Sequence, residues 1–227
     1  MNRPTMDHPA IAGIEACPSL AALLPVPVAA MRCTIPLAGA SLWPSEEAAI
    51  AQAVAKRRDE FTAGRACARH CLIELGLEPA PIPVGEMGMP LWPDGVTGSI
   101  THSDGIAMAV ALRDGAVRSL GIDIEPASSV TDAMHAIVLT PAERDALPPQ
   151  DRAIAATALF AAKEAFYKAQ FPISRRFVDY REVGVELAEG RFSVQVQSDI
   201  PSIGAAGQRF DGRWCMLDGH VLTAIAL

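Results

Sequence analysis

The sequence predicts an α+β protein built as a pseudo-twofold duplication of two similar halves. Three observations carry that prediction. Two long runs with helical spacing, residues 44–76 and 140–172, each precede a strand-rich segment. The stretch "FTAGRACAR" at 61–69 aligns without gaps on "FAAKEAFYK" at 160–168, with Phe and two Ala at matching positions. The two strand-rich segments also end alike, "AVAL" at 109–112 and "AIAL" at 224–227. This order places a junction near Asp114 to Arg118, with residues 1–116 as an N-terminal half and 117–227 as a C-terminal half. The natural ligand cleft of such a pair is the seam between halves.

Taken in order, "PSEEAAIAQAVAKRRDEFTAGRACARHCLIELG" reads as one helix, with Ser45 as N-cap, Glu46 and Glu47 in the first turn and Gly76 as the stop. "GSITHSDGIAMAVALRDG" and "AVRSLGIDIE" read as strands around Asp-Gly turns. In "LTPAERDALPPQDRAIAATALFAAKEAFYKAQFP" a short helix follows Thr140-Pro141, a turn falls at Pro148-Pro149, and a second helix ends before Pro172. "EVGVELAEGRFSVQVQ" and "RWCMLDGHVLTAIAL" close the chain as strands.

Composition narrows the function classes. The chain has 227 residues, half of them hydrophobic and a fifth charged, the profile of a soluble globular protein. A net charge of -7 gives nonspecific nucleic-acid or anionic-membrane binding no support. The start, "MNRPTMDHPAIAGIEACPSL", lacks a basic region followed by an unbroken apolar core, and "LAALLPVPVAAM" is interrupted by Pro25 and Pro27. No signal peptide or membrane span is therefore expected. Five cysteines without CxxC spacing argue for a reducing cytoplasm and against a disulfide framework or zinc site.

Four stretches carry candidate chemistry. In "SLGIDIEP", strand alternation puts Leu120, Ile122 and Ile124 on one face, and Gly121, Asp123 and Glu125 on the other. The residues alone leave two readings open: a charged edge strand in water, or a pair of hard oxygen ligands for Mg2+. "GSITHSDG" offers Ser99, Thr101, His102 and Ser103 as donors for phosphate oxygens. "KRRDEFTAGR" sets Lys56, Arg57, Arg58 and Arg65 on one helix, either a solvated basic face or a phosphate-binding one. In "FAAKEAFYKAQF", Glu164 and Lys168 are spaced i, i+4, which fits a surface salt bridge or two groups facing one ligand. The helix alignment pairs Arg65 with Glu164 and Arg69 with Lys168, so the halves are chemically distinct. Absence of GxSxG and of a complete P-loop argues against a covalent hydrolase and a Walker-type ATPase.

In this order, "RRDEFTAGR", "GMPLWPDGVTGSITHSDG", "GIDIEP" and "FAAKEAFYKAQFP" resemble the phosphopantetheinyl transferases of the Sfp/EntD type, within them the EntD-like branch. The resemblance runs from about Arg57 to Tyr180, including "FPISRRFVDY". It implies two similar α+β halves with coenzyme A and Mg2+ at their interface. It also implies transfer of the 4'-phosphopantetheine arm to a serine of an acyl, peptidyl or aryl carrier protein, with release of adenosine 3',5'-bisphosphate. Carried over by motif, Asp123, Glu125 and Glu164 are metal ligands, Glu164 is also the proposed general base, and Lys168 contacts the pyrophosphate. Arg57, Arg65, Thr101, His102, Asp123, Lys163 and Lys168 fall at positions implied to bind the coenzyme. A cytoplasmic monomer is expected, with the pathway open among siderophore (the enterobactin setting), polyketide, nonribosomal peptide and lipid synthesis. Met87 and Met89 flank Gly88 where the family frequently has a basic residue. Arg175 and Arg176 are candidates to receive an acidic carrier domain.

Overall fold

The structure is a computed structural model that describes residues 11–113 and 115–227. The start-of-chain reading, for residues 1–10, and Asp114 in the junction lie outside the described residues. Two antiparallel sheets with helices make the fold α+β. The first sheet contains β1 (Ile14–Ala16), β2 (Ala29–Thr34), β3 (Val96–Ser103) and β4 (Ile106–Arg113), in the order β1-β2-β4-β3. The second contains β5 (Leu120–Pro126), β6 (Val183–Ala188), β7 (Arg191–Val196), β8 (Arg209–Leu217) and β9 (His220–Ala226), in the order β5-β9-β8-β7-β6. The β3-β4 hairpin turns at Asp104-Gly105 and β8-β9 at Asp218-Gly219, with φ positive at all four residues, so these two Asp-Gly pairs mark turns, whereas Asp211-Gly212 lies inside β8.

The helices are α1 (Pro18–Ala21), α2 (Pro44–Glu47), α3 (Ala55–Glu74), α4 (Asp132–Val138), α5 (Pro141–Ala146) and α6 (Arg152–Ser174). The alternation in β4 explains the layering. Ala107, Ala109 and Ala111 face Ala63, Cys67, Ala68 and Cys71 of α3, where small side chains let the helix lie close. Met108, Val110 and Leu112 face the other way and meet Leu120, Ile122 and Ile124 of β5 in a second apolar cluster. A third cluster packs Ala162, Ala165, Phe166 and Ala169 of α6 against Val185, Phe192, Val194 and Ile225 of the second sheet. Gly121 is where α6 touches β5: a Cβ there would stand 1.8 Å from the Ala165 carbonyl oxygen.

Two helix boundaries differ from the sequence expectation. Residues 44–76 are not one helix: the chain leaves helical structure after a short 3-10 turn, Ala48–Ile50, and α3 begins at Ala55. The Ile50 carbonyl accepts from Ala53 N at 2.9 Å in a tight turn and from the Arg58 guanidinium at 2.9 Å. The break also lets Glu46 fold back onto Arg69, at 2.9 Å; an unbroken helix would hold their backbones about 34 Å apart. Trp43 is the N-cap in place of Ser45, and its N–H donates to Glu46 Oε2 at 2.9 Å. Likewise α6 does not stop before Pro172 but carries it in the last turn. Gln170 Nε2 there donates to the Arg176 carbonyl at 3.1 Å, and Arg175, left-handed at φ 57, closes the helix through its N–H to Phe171 O. The short helix after Thr140-Pro141 forms as expected: Thr140 Oγ1 accepts from Glu143 N, and the Glu143 carboxylate accepts from Thr140 N.

Candidate active site

The two sheets meet where β3 runs beside β5 in the same direction. Three hydroxyls of β3 stitch the seam. Ser99 Oγ accepts from Ile122 N at 3.2 Å, Thr101 Oγ1 donates to Asp123 Oδ1 at 3.0 Å, and Ser103 Oγ donates to Glu125 Oε2 at 3.2 Å. The alternation read in β5 holds. Its apolar side chains enter the core, and Asp123 projects toward α6 and β3, only 4% exposed. Lys168, one turn beyond Glu164 on α6, donates to Asp123 Oδ1 at 2.6 Å, to Thr101 Oγ1 at 3.1 Å and to Ile122 O at 3.2 Å. Asp123 is thus no edge-strand charge in water, and the ion pair of Lys168 is to Asp123 rather than to Glu164.

The electrostatics follow from this burial. Desolvation raises the Asp123 carboxyl, while the Lys168 ammonium and the Thr101 hydroxyl oppose the rise. Glu125 is pushed up to about 7 by burial and by the neighbouring Asp123 charge, with the Ser103 hydrogen bond opposing. The Glu164 charge acts on both in the same raising sense, so three carboxylates repel one another around one ammonium. Asp123 Oδ2 is buried and, among the described residues, has no hydrogen-bond partner. Such an orphaned carboxylate oxygen among like charges is a place for a cation.

The remaining predicted residues divide. Thr101 belongs to the cluster. His102 is at its edge: Nε2 accepts from Arg57 Nη1 at 2.7 Å, since a guanidinium only donates, and Nδ1 faces Glu60 Oε2 at 3.6 Å. Burial, with help from the Arg57 charge, holds the imidazole near 4, hence neutral. Arg57 is half-exposed beside it. Arg65 is buried, donates through Nε to Ile82 O at 2.8 Å and lies over the Phe61 ring at 4.1 Å; among the described residues its Nη2 has no partner. Lys163 is not with Lys168. It is fully buried, unlike Lys168, and donates to Glu143 Oε2 at 2.7 Å, Tyr180 O at 2.8 Å and Val138 O at 3.0 Å. Glu164 accepts a hydrogen bond from the Tyr180 hydroxyl through Oε1.

Among the described residues, no three His, Cys, Asp or Glu side chains gather closely enough to hold a metal ion. Asp123, Glu125 and Glu164 each accept from a separate protein donor: Lys168 and Thr101, Ser103, and Tyr180. Glu164 and Tyr180 also line a cavity of about 210 Å3 with Met87, Tyr167 and Phe177. Tyr167 and Tyr180 were not singled out from the sequence. Tyr180 opens a three-residue 3-10 turn, Tyr180–Glu182, too short to show a period, and only the fold returns it to α6. A larger concavity, about 1360 Å3 between α5 and β6, contains none of Asp123, Glu125, Glu164 and Lys168. The chemistry-bearing groups, not the size of the hollow, locate the site.

Residues 45–112 match the family model of the 4'-phosphopantetheinyl transferase N-terminal domain, and residues 119–225 match that of the 4'-phosphopantetheinyl transferase superfamily. The chain is 40% identical over 195 residues to the 4'-phosphopantetheinyl transferase Npt of Nocardia iowensis, covering 81% of this chain and 88% of that protein. This chain belongs to the 4'-phosphopantetheinyl transferase superfamily. It is also 40% identical over 201 residues to the transferase PptT of Mycobacterium tuberculosis, covering 83% of this chain and 87% of that one. Enterobactin synthase component D of Escherichia coli shares 37% identity over 145 residues, covering 62% of this chain and 68% of its own. The chain is accordingly an enzyme with phosphopantetheinyl transferase activity, and the family uses coenzyme A as substrate. No helix among the described residues is long and apolar enough to cross a membrane.

Proposed function

We propose that this chain transfers the 4'-phosphopantetheine arm of coenzyme A to a serine of an acyl, peptidyl or aryl carrier protein. Adenosine 3',5'-bisphosphate is the other product, and the reaction depends on Mg2+. The observation that carries the reading is the β3-β5 seam, where Lys168 and the buried Asp123 meet Thr101, with Glu125 and Glu164 within electrostatic reach. The serine oxygen attacks the pantetheine-side phosphorus, the bond from that phosphorus to the bridging oxygen of the pyrophosphate breaks, and the bridging oxygen leaves on the 5'-phosphate of adenosine 3',5'-bisphosphate. Glu164 takes the serine proton. Lys168 meets the charge on the pyrophosphate, and Arg57 with neutral His102 binds phosphate oxygens at the rim. The unpartnered Asp123 Oδ2 and the crowded Glu125 fit a hard cation, so Asp123, Glu125 and Glu164 would hold Mg2+. Bound there, the ion supplies charge neutralisation on the pyrophosphate.

The duplication belongs to the same reading, with halves at 1–116 and 117–227. Its support is topological: β2 precedes α3 and pairs with β4, the last strand of the next hairpin, while β5 precedes α6 and pairs with β9 in the same way. Of the two candidate docking arginines, Arg175 is exposed, whereas Arg176 is in an ion pair with Glu182. Incubation of apo carrier proteins with coenzyme A and Mg2+, read by intact mass, should show gain of the arm, and Asp123→Ala should abolish it. No gain across acyl, peptidyl and aryl carriers would sink the reading. Release of adenosine bisphosphate without any acceptor would replace it with a hydrolase.

A further inference from the structure

Two neighbouring residues of α6 both grip Tyr180. Adjacent helix positions point about 100° apart, yet Lys163 Nζ donates to the Tyr180 carbonyl at 2.8 Å while the Tyr180 hydroxyl donates to Glu164 Oε1. The grip is anchored from behind. Lys163 pairs with buried Glu143 at 2.7 Å, and Glu143 accepts from Val185 N at 2.7 Å and Thr140 N at 2.6 Å, joining α5 to β6. The Tyr180 ring is itself wedged against Phe160, with centroids 5.6 Å apart.

We propose that Tyr180 and Lys163 are positioning residues for Glu164: the Tyr180 hydroxyl holds one carboxylate oxygen in place, and Lys163 with Glu143 holds the backbone that carries Tyr180. The inference rests on reading Glu164 as the base for the carrier serine. A glutamate side chain turns about three bonds, and a proton acceptor must be aimed within a fraction of an ångström to act. Pinning Oε1 leaves Oε2 for the serine hydroxyl. It also accounts for a lysine of the "AAKEAFYK" stretch that is fully buried and paired with Glu143. A direct contact with coenzyme A would require Lys163 to abandon Glu143 and leave a carboxylate unpaired in the core.

The test compares Tyr180→Phe with the paired neutral variant Lys163→Met/Glu143→Gln, which removes both buried charges together. Steady-state transfer to an apo carrier protein should show kcat lowered about 10–100-fold by either change, the usual cost of losing a supporting hydrogen bond. KM for coenzyme A should stay within about twofold. Tyr180→Phe placed on Glu164→Gln should add no more than about a twofold loss, since the hydroxyl acts through that carboxylate. Thermal unfolding of Tyr180→Phe should match the wild type, separating aim from fold. An unchanged kcat in Tyr180→Phe, an additive double variant, or a raised KM with unchanged kcat in the Lys163 variant overturns the proposal while the transfer reading stands. A wild-type chain that loads no carrier overturns both.

Discussion

The helices α3 and α6 lie on their sheets in the same manner, through alanines and a glycine, yet put their charges to opposite uses. On α3, Arg69 is buried and spends its donors on Glu46, at 2.9 and 3.0 Å, and on Ser41 O at 2.7 Å. On α6 the aligned residue, Lys168, pairs with Asp123 of the adjacent β5, reaches Thr101 of β3 across the seam at 3.1 Å, and remains partly open to solvent. Arg65 and its aligned Glu164 repeat the contrast: one ties down Ile82, the other faces a cavity. The α3 charges are thus spent on contacts within their own packing, whereas Lys168 ties β5 to β3 at the seam.

That contrast can be broken at matching positions. Lys168→Met should lower transfer about 10²–10³-fold, measured by carrier loading, and, because it leaves Asp123 buried without its ammonium, should also lower stability in thermal unfolding. Arg69→Met should cost about 3–5 kcal/mol by leaving Glu46 buried and unpaired while kcat is kept, checked by denaturant unfolding. The glycine contacts give the next effect. Gly121→Ala drives a Cβ into the Ala165 carbonyl, a backbone atom at 1.8 Å, and should destabilise by at least about 3 kcal/mol. Gly64→Ala meets only the Ile100 Cγ2 methyl at 2.9 Å and gains helix propensity, so denaturant unfolding should place it within about 1 kcal/mol of wild type.

Smaller and pH-dependent is Glu125. Its carboxyl is raised from 4.5 unfolded to about 7 folded, so the folded chain binds more protons between those values. Metal-free wild type should therefore lose stability as pH rises through that window, whereas Glu125→Gln should lack this loss and melt about 2 °C or more higher at pH 8. Smallest is His102, lowered from 6.5 to about 4. Here the unfolded chain binds the proton first, and stability falls as pH drops from 6.5 toward 4. His102→Asn should flatten that slope in thermal unfolding at low pH.

Much of this was legible in the chain. The period of two in "SLGIDIEP" is a local property of a strand, and it put Asp123 and Glu125 on one face with Ile122 and Ile124 on the other. The i, i+4 spacing of Glu164 and Lys168 likewise put both on one side of a helix. Turn residues marked both Asp-Gly hairpins, and Thr140-Pro141 opened its helix. These signals survive because they depend on bonds within a few residues.

What the tertiary structure alone decided depends on contacts between distant residues. The helix breaks before Ala55 because Glu46 must reach Arg69, 23 residues away, and α6 passes Pro172 because Gln170 reaches the Arg176 carbonyl. Lys163 and Lys168, five residues apart and alike in sequence, separate into a core anchor and a seam ammonium only when Glu143 and Asp123 arrive from other elements. Tyr180 meets Glu164 for the same reason. Local spacing determines which way a side chain can point; the burial of its charge, and hence its role, is set by whichever partner the packed sheets bring to it.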